Sequence, residues 1–541
     1  MSHEPGNSDA GSPEEPNTHT RRDVVKRGAR VAGVAVLAPG VLTGAAQAAV
    51  DRHLAARRLG RAAAGGTLTV AQPGEPKTLD PHRSTLDVFR HSIRSAVFDS
   101  LTWVDPATLA VQPKLAKSWT VSKNGKTVVF KLQEGVKWHD GTPFTASDVA
   151  FTIKRVKDPK IASQFAPQVA TVKSVDVVDD TTVRFNLSAS TPPLFANLLQ
   201  VQIVGENSIG SIETKPIGTG PFKFVEFVPG DHQTLEKNTD YWVQGTPLLD
   251  QLIFKNVPDA QSRLAQLRAG SVQMIDGIDP KDVKQAKSFP NAYVFTSKPV
   301  NLYEIFQINT KRKPFDDKRV RQALSYAFDR KSYLKNFWYG LARQSSGPFV
   351  KEMPAYLPGV DNAYKFDLKK AASLLQQAGF TKAKPLEIEI LSIVGYPTLK
   401  AMAVILQANL NKIGMKATIT ELEISPWIDR IATHPDFDIT VDNYNTVPED
   451  PAGMFNSDNL APAGNINQWN PPGYAALVAK AASEQNPRKR NALYRQLQKL
   501  ILTEQPFITI DHYPIIVAAA KTVKGVKLGP SGIYDWSRAT V

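Results

Sequence analysis

Cysteine is absent from all 541 residues. Its absence excludes disulfides, thiolate metal sites, a cysteine nucleophile and a lipoprotein anchor. Long apolar runs are missing too. The most hydrophobic stretch, Ala29 to Ala46, is broken by Gly33, Pro39, Gly40 and Gly44 and is too interrupted for a stable transmembrane helix. Motifs of catalysis are also missing: there is no GxSxG elbow, no HExxH, no Walker A loop and no GxGxxG after a strand. The nine histidines are scattered. Nothing in the sequence therefore points to an enzyme, a metal or a cofactor. The net charge of +14 is diffuse. Nine Lys/Arg against six Asp/Glu fall in the first 65 residues, a surplus of three, which leaves +11 for the remainder. No basic run is interleaved with aromatics, so nucleic acid is not the expected partner. Diffuse positive charge suits solubility, or a wall-polymer or anionic-membrane environment.

At 42% hydrophobic and 21% charged, the chain is ordinary for a globular protein and long enough for two or more domains. Met1 to His19 is polar and reads as disordered. Arg21-Arg22, the mild apolar run and Ala46-Gln47-Ala48 follow in the order of a twin-arginine export signal cleaved after Ala48. Val24 stands where that motif usually has Phe. Residues 1–48 are thus read as the signal and 49–65 as a linker, with the mature chain at the cell surface, periplasmic or extracellular.

The stretch Pro113 to Val156 organises the rest. Asn124-Gly125 predicts a two-residue type I′ hairpin turn, in which both central residues take positive φ. Val128, Phe130 and Leu132 alternate with Thr127, Val129 and Lys131, as in a strand with one buried face. Asp140-Gly141 predicts a second turn. Thr145 is placed as a helix N-cap, with Asp148 three residues on and Val149, Ile153 and Val156 as the apolar stripe. As a string, PKLAKSWTVSKNGKTVVFKLQEGVKWHDGTPFTASDV resembles the signature of the family 5 extracellular solute-binding proteins, the peptide, nickel and opine receptors of ABC importers. Ile217–Phe222 resembles that family's GTGPF, Asn238–Trp242 its NxxYW, and Asn309–Phe337 its NTxxxPFxDxRVRxALxxAxDR. Leu264–Ile275 resembles LxxGExD, with Ser271 and Gln273 in place of the acids.

The resemblance covers Gly66 to Trp536. It implies an α/β fold of two lobes, the periplasmic-binding-protein-like class C type with an extra subdomain in the first lobe. The implied domains are a first lobe at 66–297 with the subdomain at about 96–214, a second lobe at 298–509, and a return to the first lobe at 510–541. Periodicity fills in the elements. Thr67–Ala71 reads as a strand, Thr78–His82 as the loop that opens the cleft in this family, and Val88–Asp99 as a helix. Ala170–Leu187 reads as two strands around an Asp179-Asp180 turn. Asp316 or Asp317 is expected to cap a helix carrying Val320, Leu324, Ala327 and Phe328, stopped by Gly340. Asp367 is expected to cap another, ending at Gly379. Strand Pro385–Ser392, helix Pro397–Ile413 and strand Met415–Glu423 form a βαβ crossover with parallel pairing. Helices fill Tyr474–Leu502, and strand resumes from Ile508.

The resemblance further implies a small solute, most readily an oligopeptide, held between the lobes by a monomer and passed to an ABC permease. A metal chelate, an opine-like conjugate or an oligosaccharide is the alternative ligand. A non-transport sensor on the same fold is the alternative role, and a secreted hydrolase lacks its catalytic groups. Asp442–Phe455 (DNYNTVPEDPAGMF) follows a strand at Phe437–Val441 and reads as a ligand loop. Peptide-binding relatives place an amine-binding Asp where Val447 stands here, and a Trp where Tyr444 stands. Tyr444, Asn445 and Glu449 are the candidates in this loop, while Asp450-Pro451 suits a helix start. Ser84, Thr85, Phe165, Gln202 and Tyr534 fall near cleft-lining positions by the same resemblance. His139 is expected to be structural.

Overall fold

A seven-stranded, a five-stranded and a four-stranded sheet carry the architecture. The computed structural model describes residues 65–83, 92–105, 108–297, 302–445, 451–455, 457, 459–529 and 532–541, and the elements below lie within the unit Ala63–Val541. Strand β1 (Thr67–Gln72) starts the fold with Leu68 and Val70 fully buried, and α1 spans Ile93–Val97. The four-stranded subdomain follows: β2 (Ala116–Val121), β3 (Thr127–Leu132), α2 (Ala146–Lys157), β4 (Val172–Asp179) and β5 (Thr182–Leu187), in the order β2-β3-β5-β4. Val128, Phe130 and Leu132 face its core with Val149, Ile153 and Val156 of α2. Helix α2 begins with the expected capping box of Thr145 and Asp148.

The β2–β3 connection differs from the expected two-residue turn. Only Gly125 has positive φ, at 68°; Asn124 does not, and the loop runs from Ser122 to Thr127. Asn124 uses its side chain instead, its Oδ1 accepting from Ser122 Oγ at 2.8 Å and from the Lys126 N–H at 3.0 Å. Asn side chains can close such turns locally, which removes the need for a second left-handed residue. Asp140-Gly141 does turn, Gly141 taking φ 89°.

The chain then returns through β6 (Phe222–Val228), β7 (His232–Lys237), β8 (Gln251–Asn256), α3 (Ala260–Ala269), β9 (Met274–Asp276) and β10 (Ala292–Thr296). Crossing onward, β11 (Leu302–Ile308) opens the second sheet. After it come α4 (Lys318–Ala327), α5 (Arg330–Asn336), α6 (Leu368–Gln377), β12 (Glu387–Ile393), α7 (Pro397–Lys412), β13 (Lys416–Leu422), β14 (Ile439–Asn445), α8 (Pro487–Glu504) and β15 (Phe507–Thr509). Strand β16 (Ile516–Ala520) crosses back. The sheet orders are β10-β16-β9-β1-β8-β7-β6 and β13-β12-β14-β11-β15. The pairs β1/β8, β1/β9, β12/β13 and β12/β14 are parallel.

One long helix was expected from Asp317 to Gly340, and two are found. Asp317 caps α4 as foreseen, but Phe328 is extended, and Asp329 caps a new helix by accepting the Ser332 N–H at 3.0 Å. The break lets the Phe328 ring pack against Phe306, 5.2 Å away, at full burial. Burying that ring outweighs one more helical turn.

The IGTGPF segment is held by close contact. A Cβ on Gly218 would stand 1.8 Å from the Val97 carbonyl oxygen, and one on Gly220 would stand 2.6 Å from that of Ala96, so neither position admits a side chain beside α1. His139 fastens the segment to the signature turn. Its backbone N–H donates to the Gly218 carbonyl at 2.9 Å, and its Nε2 meets the Gly220 carbonyl at 3.0 Å. Burial lowers its pKa to about 4, so the ring is neutral and structural.

Candidate functional site

Asp80-Pro81-His82, the expected cleft loop, is tied inward to the subdomain. Arg155 of α2 grips both Asp80 oxygens, at 3.1 and 2.5 Å, and donates to His82 Nδ1 at 2.7 Å. His82 Nε2 then donates to the Gln202 carbonyl at 2.8 Å. Burial, reinforced by the Arg155 charge, lowers the His82 pKa to about 4, which leaves the ring neutral with one nitrogen donating and one accepting. Gln202 is buried, and its side-chain Oε1 has no hydrogen-bond partner. Phe165 is buried in the subdomain core with the Arg94 guanidinium 4.5 Å from its ring centre. Ser84 and Thr85 lie outside the described residues.

A cavity of about 340 Å³ lies between the two sheets. Its first-lobe wall is Pro73, Asp276–Pro280 and Ile516; its second-lobe wall includes Leu302, Glu304, Trp338, Thr398 and Asn443, with Tyr513 and Pro514 on the crossing segment. Parallel strands β1 and β9 end beside it, at Gln72 and Asp276, and β14 ends beyond it at Asn445. The space outside the carboxyl ends of parallel strands is where α/β sheets hold ligands, because the strand-to-loop transitions there free side chains from pairing. Tyr534 reaches this cavity only indirectly: its hydroxyl donates to Asp276 Oδ1 at 2.7 Å, while its ring stacks on Trp536 at 4.6 Å.

Glu304 is the most buried acid of the lining, at 2% exposure. Tyr333 Oη and Trp338 Nε1 both donate to its Oε2, at 2.5 and 3.0 Å. Asp511 lies against it, accepting the Glu304 N–H at 3.2 Å. Burial raises both carboxyls, and the facing Glu304 carboxylate adds to the rise of Asp511, which is the larger. Trp338 stacks on Tyr513 with ring centres 4.6 Å apart.

The expected ligand loop begins later than its sequence suggests, since β14 continues to Asn445 and Asp442 is a buried strand residue. The Tyr444 ring is half-buried, 6.2 Å from that of Tyr303. Asn445 ends the strand, and only its backbone is described; Val447, Glu449 and Asp450 lie outside the described residues. It is Asn443, two residues before Asn445, that lines the cavity.

Asp442 offers a pH test. Burial raises its carboxyl to about 7 against bonds from Gln307 Nε2 at 3.1 Å and the Asn443 N–H at 2.7 Å. Between about pH 4 and 7 the folded chain therefore keeps a proton that the unfolded chain has lost, and stability falls as pH rises across that window. The slope contributed is at most about 1.4 kcal/mol per pH unit. Urea unfolding of Asp442→Asn between those limits should show a correspondingly flatter profile than wild type. Identical profiles would mean that Asp442 is already ionised in the fold.

The sequence carried one overlooked signal for this site: Glu304 is a lone acid inside LYEIFQI, where an exposed position would be unremarkable but a buried one needs partners. Asp276, Trp338 and Tyr513 had no local signal at all.

Comparison with known proteins matches the same architecture. The description Bacterial extracellular solute-binding proteins, family 5 Middle, fits residues 110–465. Di/tripeptide-binding protein 2 of Pseudomonas aeruginosa is 28% identical over 87% of this chain and 94% of its own. Heme-binding protein A of Haemophilus influenzae is also 28% identical, over 81% of this chain and 85% of its own. Among solved structures, the ABC transporter-associated periplasmic binding protein DppA of Helicobacter pylori, in complex with peptide STSA, superposes with a TM-score of 0.76 at 25% identity, over 90% of this chain and 99% of that one. With the two lobes, the cavity between them and a profile match over most of the chain, this protein belongs to the bacterial extracellular solute-binding proteins of family 5.

Proposed function

We propose that the chain is the substrate-binding component of an ABC importer, capturing a short peptide between its lobes and presenting it to a membrane permease. The observation that carries this reading is the interlobe cavity at the strand ends, on a fold whose likeness to a peptide-bound receptor spans both lobes. The ligand is held and released unchanged. The protein works as a monomer at the cell surface, after export by the twin-arginine route. A second reading, capture of a metal chelate, draws on the heme-binding relative.

Ligand should stabilise the closed form. At a hundredfold excess over Kd the gain is about 2.7 kcal/mol, and at roughly 1 kcal/mol per degree for a body of this size the midpoint rises by about 2–3 °C. A thermal-shift panel of peptides, metal chelates, opines and sugars should show peptides moving the midpoint. A shift with chelates alone selects the second reading, and hydrolysis of a bound peptide would overturn both.

A further inference from the structure

We propose a second binding site, outside the interlobe cleft, that takes one aromatic ring carrying a carboxylate. It does not depend on the importer reading. Three stretches that resemble family motifs, and that ligand capture leaves unused, meet around a cavity of about 210 Å³ in the first lobe. Lys114 comes from the signature stretch, Pro221 from IGTGPF, and Tyr241 and Trp242 from the NxxYW match, while Trp103 and Arg538 add to the wall. Among the described residues, none is shared with the lining of the interlobe cavity. Tyr534 connects the two: it lines this cavity, and its hydroxyl donates to Asp276 in the other.

The aromatic wall is fixed from behind by one buried acid. Asp99 has no exposed surface, and it accepts from Trp242 Nε1 at 3.0 Å, Thr219 Oγ1 at 3.3 Å and Tyr241 Oη at 3.4 Å. Its charge is answered by Lys114 Nζ at 2.8 Å, and that ammonium also lies 5.2 Å from the centre of the Trp103 ring. Rings held in this way lose little rotamer freedom on binding. All three are only half-buried, which leaves apolar ring surface to be covered. Charge selects the other half of the ligand. Asp535, the one acid of the described lining, accepts the Ser537 N–H and hydroxyl. Lys114 is committed to Asp99. Arg538 is half-buried, and its guanidinium forms no ion pair and no hydrogen bond among the described residues. Its planar fork matches a carboxylate bidentately. The volume is below that of a drug-sized site, which limits the occupant to about one ring with a short acid tail.

The test is a ligand-observed NMR titration of the full-length chain with 3-phenylpropionate, phenethylamine and butyrate. Wild type should bind 3-phenylpropionate at least about tenfold more tightly than phenethylamine, the scale of a charge-assisted hydrogen bond. It should prefer it to butyrate by a similar factor, the scale of burying a ring. Arg538→Gln removes no bond among the described residues, so it should melt with wild type yet bind 3-phenylpropionate about tenfold more weakly. Wild-type affinity in that variant places the ligand elsewhere and overturns the site. Equal binding of phenethylamine or butyrate to wild type overturns the ligand class, and no binding of 3-phenylpropionate overturns the proposal as a whole. Should Arg538→Gln not fold, Arg538→Lys decides instead. It keeps the charge without the fork and should bind 3-phenylpropionate more weakly than wild type; undiminished affinity there overturns the assignment to Arg538.

Discussion

Arg330→Leu is expected to be the most destabilising single substitution in the second lobe. The guanidinium is 2% exposed, and burial lowers its pKa only to about 10, so it is charged at neutral pH. It is solvated by the protein itself. Nε donates to the Ser345 and Thr509 carbonyls at 3.2 and 3.1 Å, Nη1 to those of Ser325 and Tyr364 at 3.0 and 3.2 Å, and Nη2 to Ser325 Oγ and the Thr509 carbonyl at 3.1 and 2.9 Å. These acceptors come from the end of α4, two loops and β15, so one side chain ties four segments of the lobe together. Leucine fills part of the space but donates nothing. Breaking a buried charged network by removing one member costs about 3–5 kcal/mol, a fall in melting midpoint of roughly 3–5 °C at this chain length. Arg330→Lys keeps the charge without the planar fork and should recover only part of the loss. Melts of the three proteins at one pH make the comparison, and a Leu variant within about 1 °C of wild type would show that the acceptors find other donors.

Replacing Arg21 and Arg22 together by lysine is expected to leave full-length precursor in the cytoplasm. The double substitution keeps both charges and leaves the apolar run Ala29–Ala46 untouched, so a pathway that reads only charge and hydrophobicity would pass it. A receptor that reads the arginine pair would not. The run is interrupted by two glycines and a Pro39-Gly40 pair, which makes it a poor signal on hydrophobicity alone. Fractionation with mass spectrometry of the amino terminus should find wild type beginning at Ala49 outside the cytoplasm and the variant intact within it. Lys26→Gln with Arg27→Gln, a control that removes two positive charges outside the pair, should export normally. Secretion of the lysine variant at the wild-type level would sink the twin-arginine assignment.

Much of the fold could be read locally. The Thr145 capping box, the Asp367 cap, the left-handed Gly379 and the parallel β12–α7–β13 unit stand where caps, glycines and periodicity placed them. Each depends on residues within one or two turns of each other, and so leaves its mark in a short window. Where local signals competed, the sequence could not rank them. Asn124 satisfied its turn through a side chain rather than a left-handed backbone, and Phe328 broke a helix to reach Phe306. The strand β14 ran past Val441 because the Tyr444 and Asn445 backbones pair with Tyr303 and Leu302 more than 140 residues away.

The sequence by itself determined most elements of both lobes and the resemblance that implies a ligand between them. It could not show which acids are buried. Whether an acid is buried, and whether a cation answers it, depends on residues distant in the chain. Glu304 and Asp511 are 207 positions apart, and Tyr534 and Asp276 are 258 apart. Burial makes such pairings strong, because an ion removed from water must find its partner in the protein or in the ligand. Only the tertiary structure set Glu304, an ordinary strand residue in the sequence, in the lining of the cavity between the lobes.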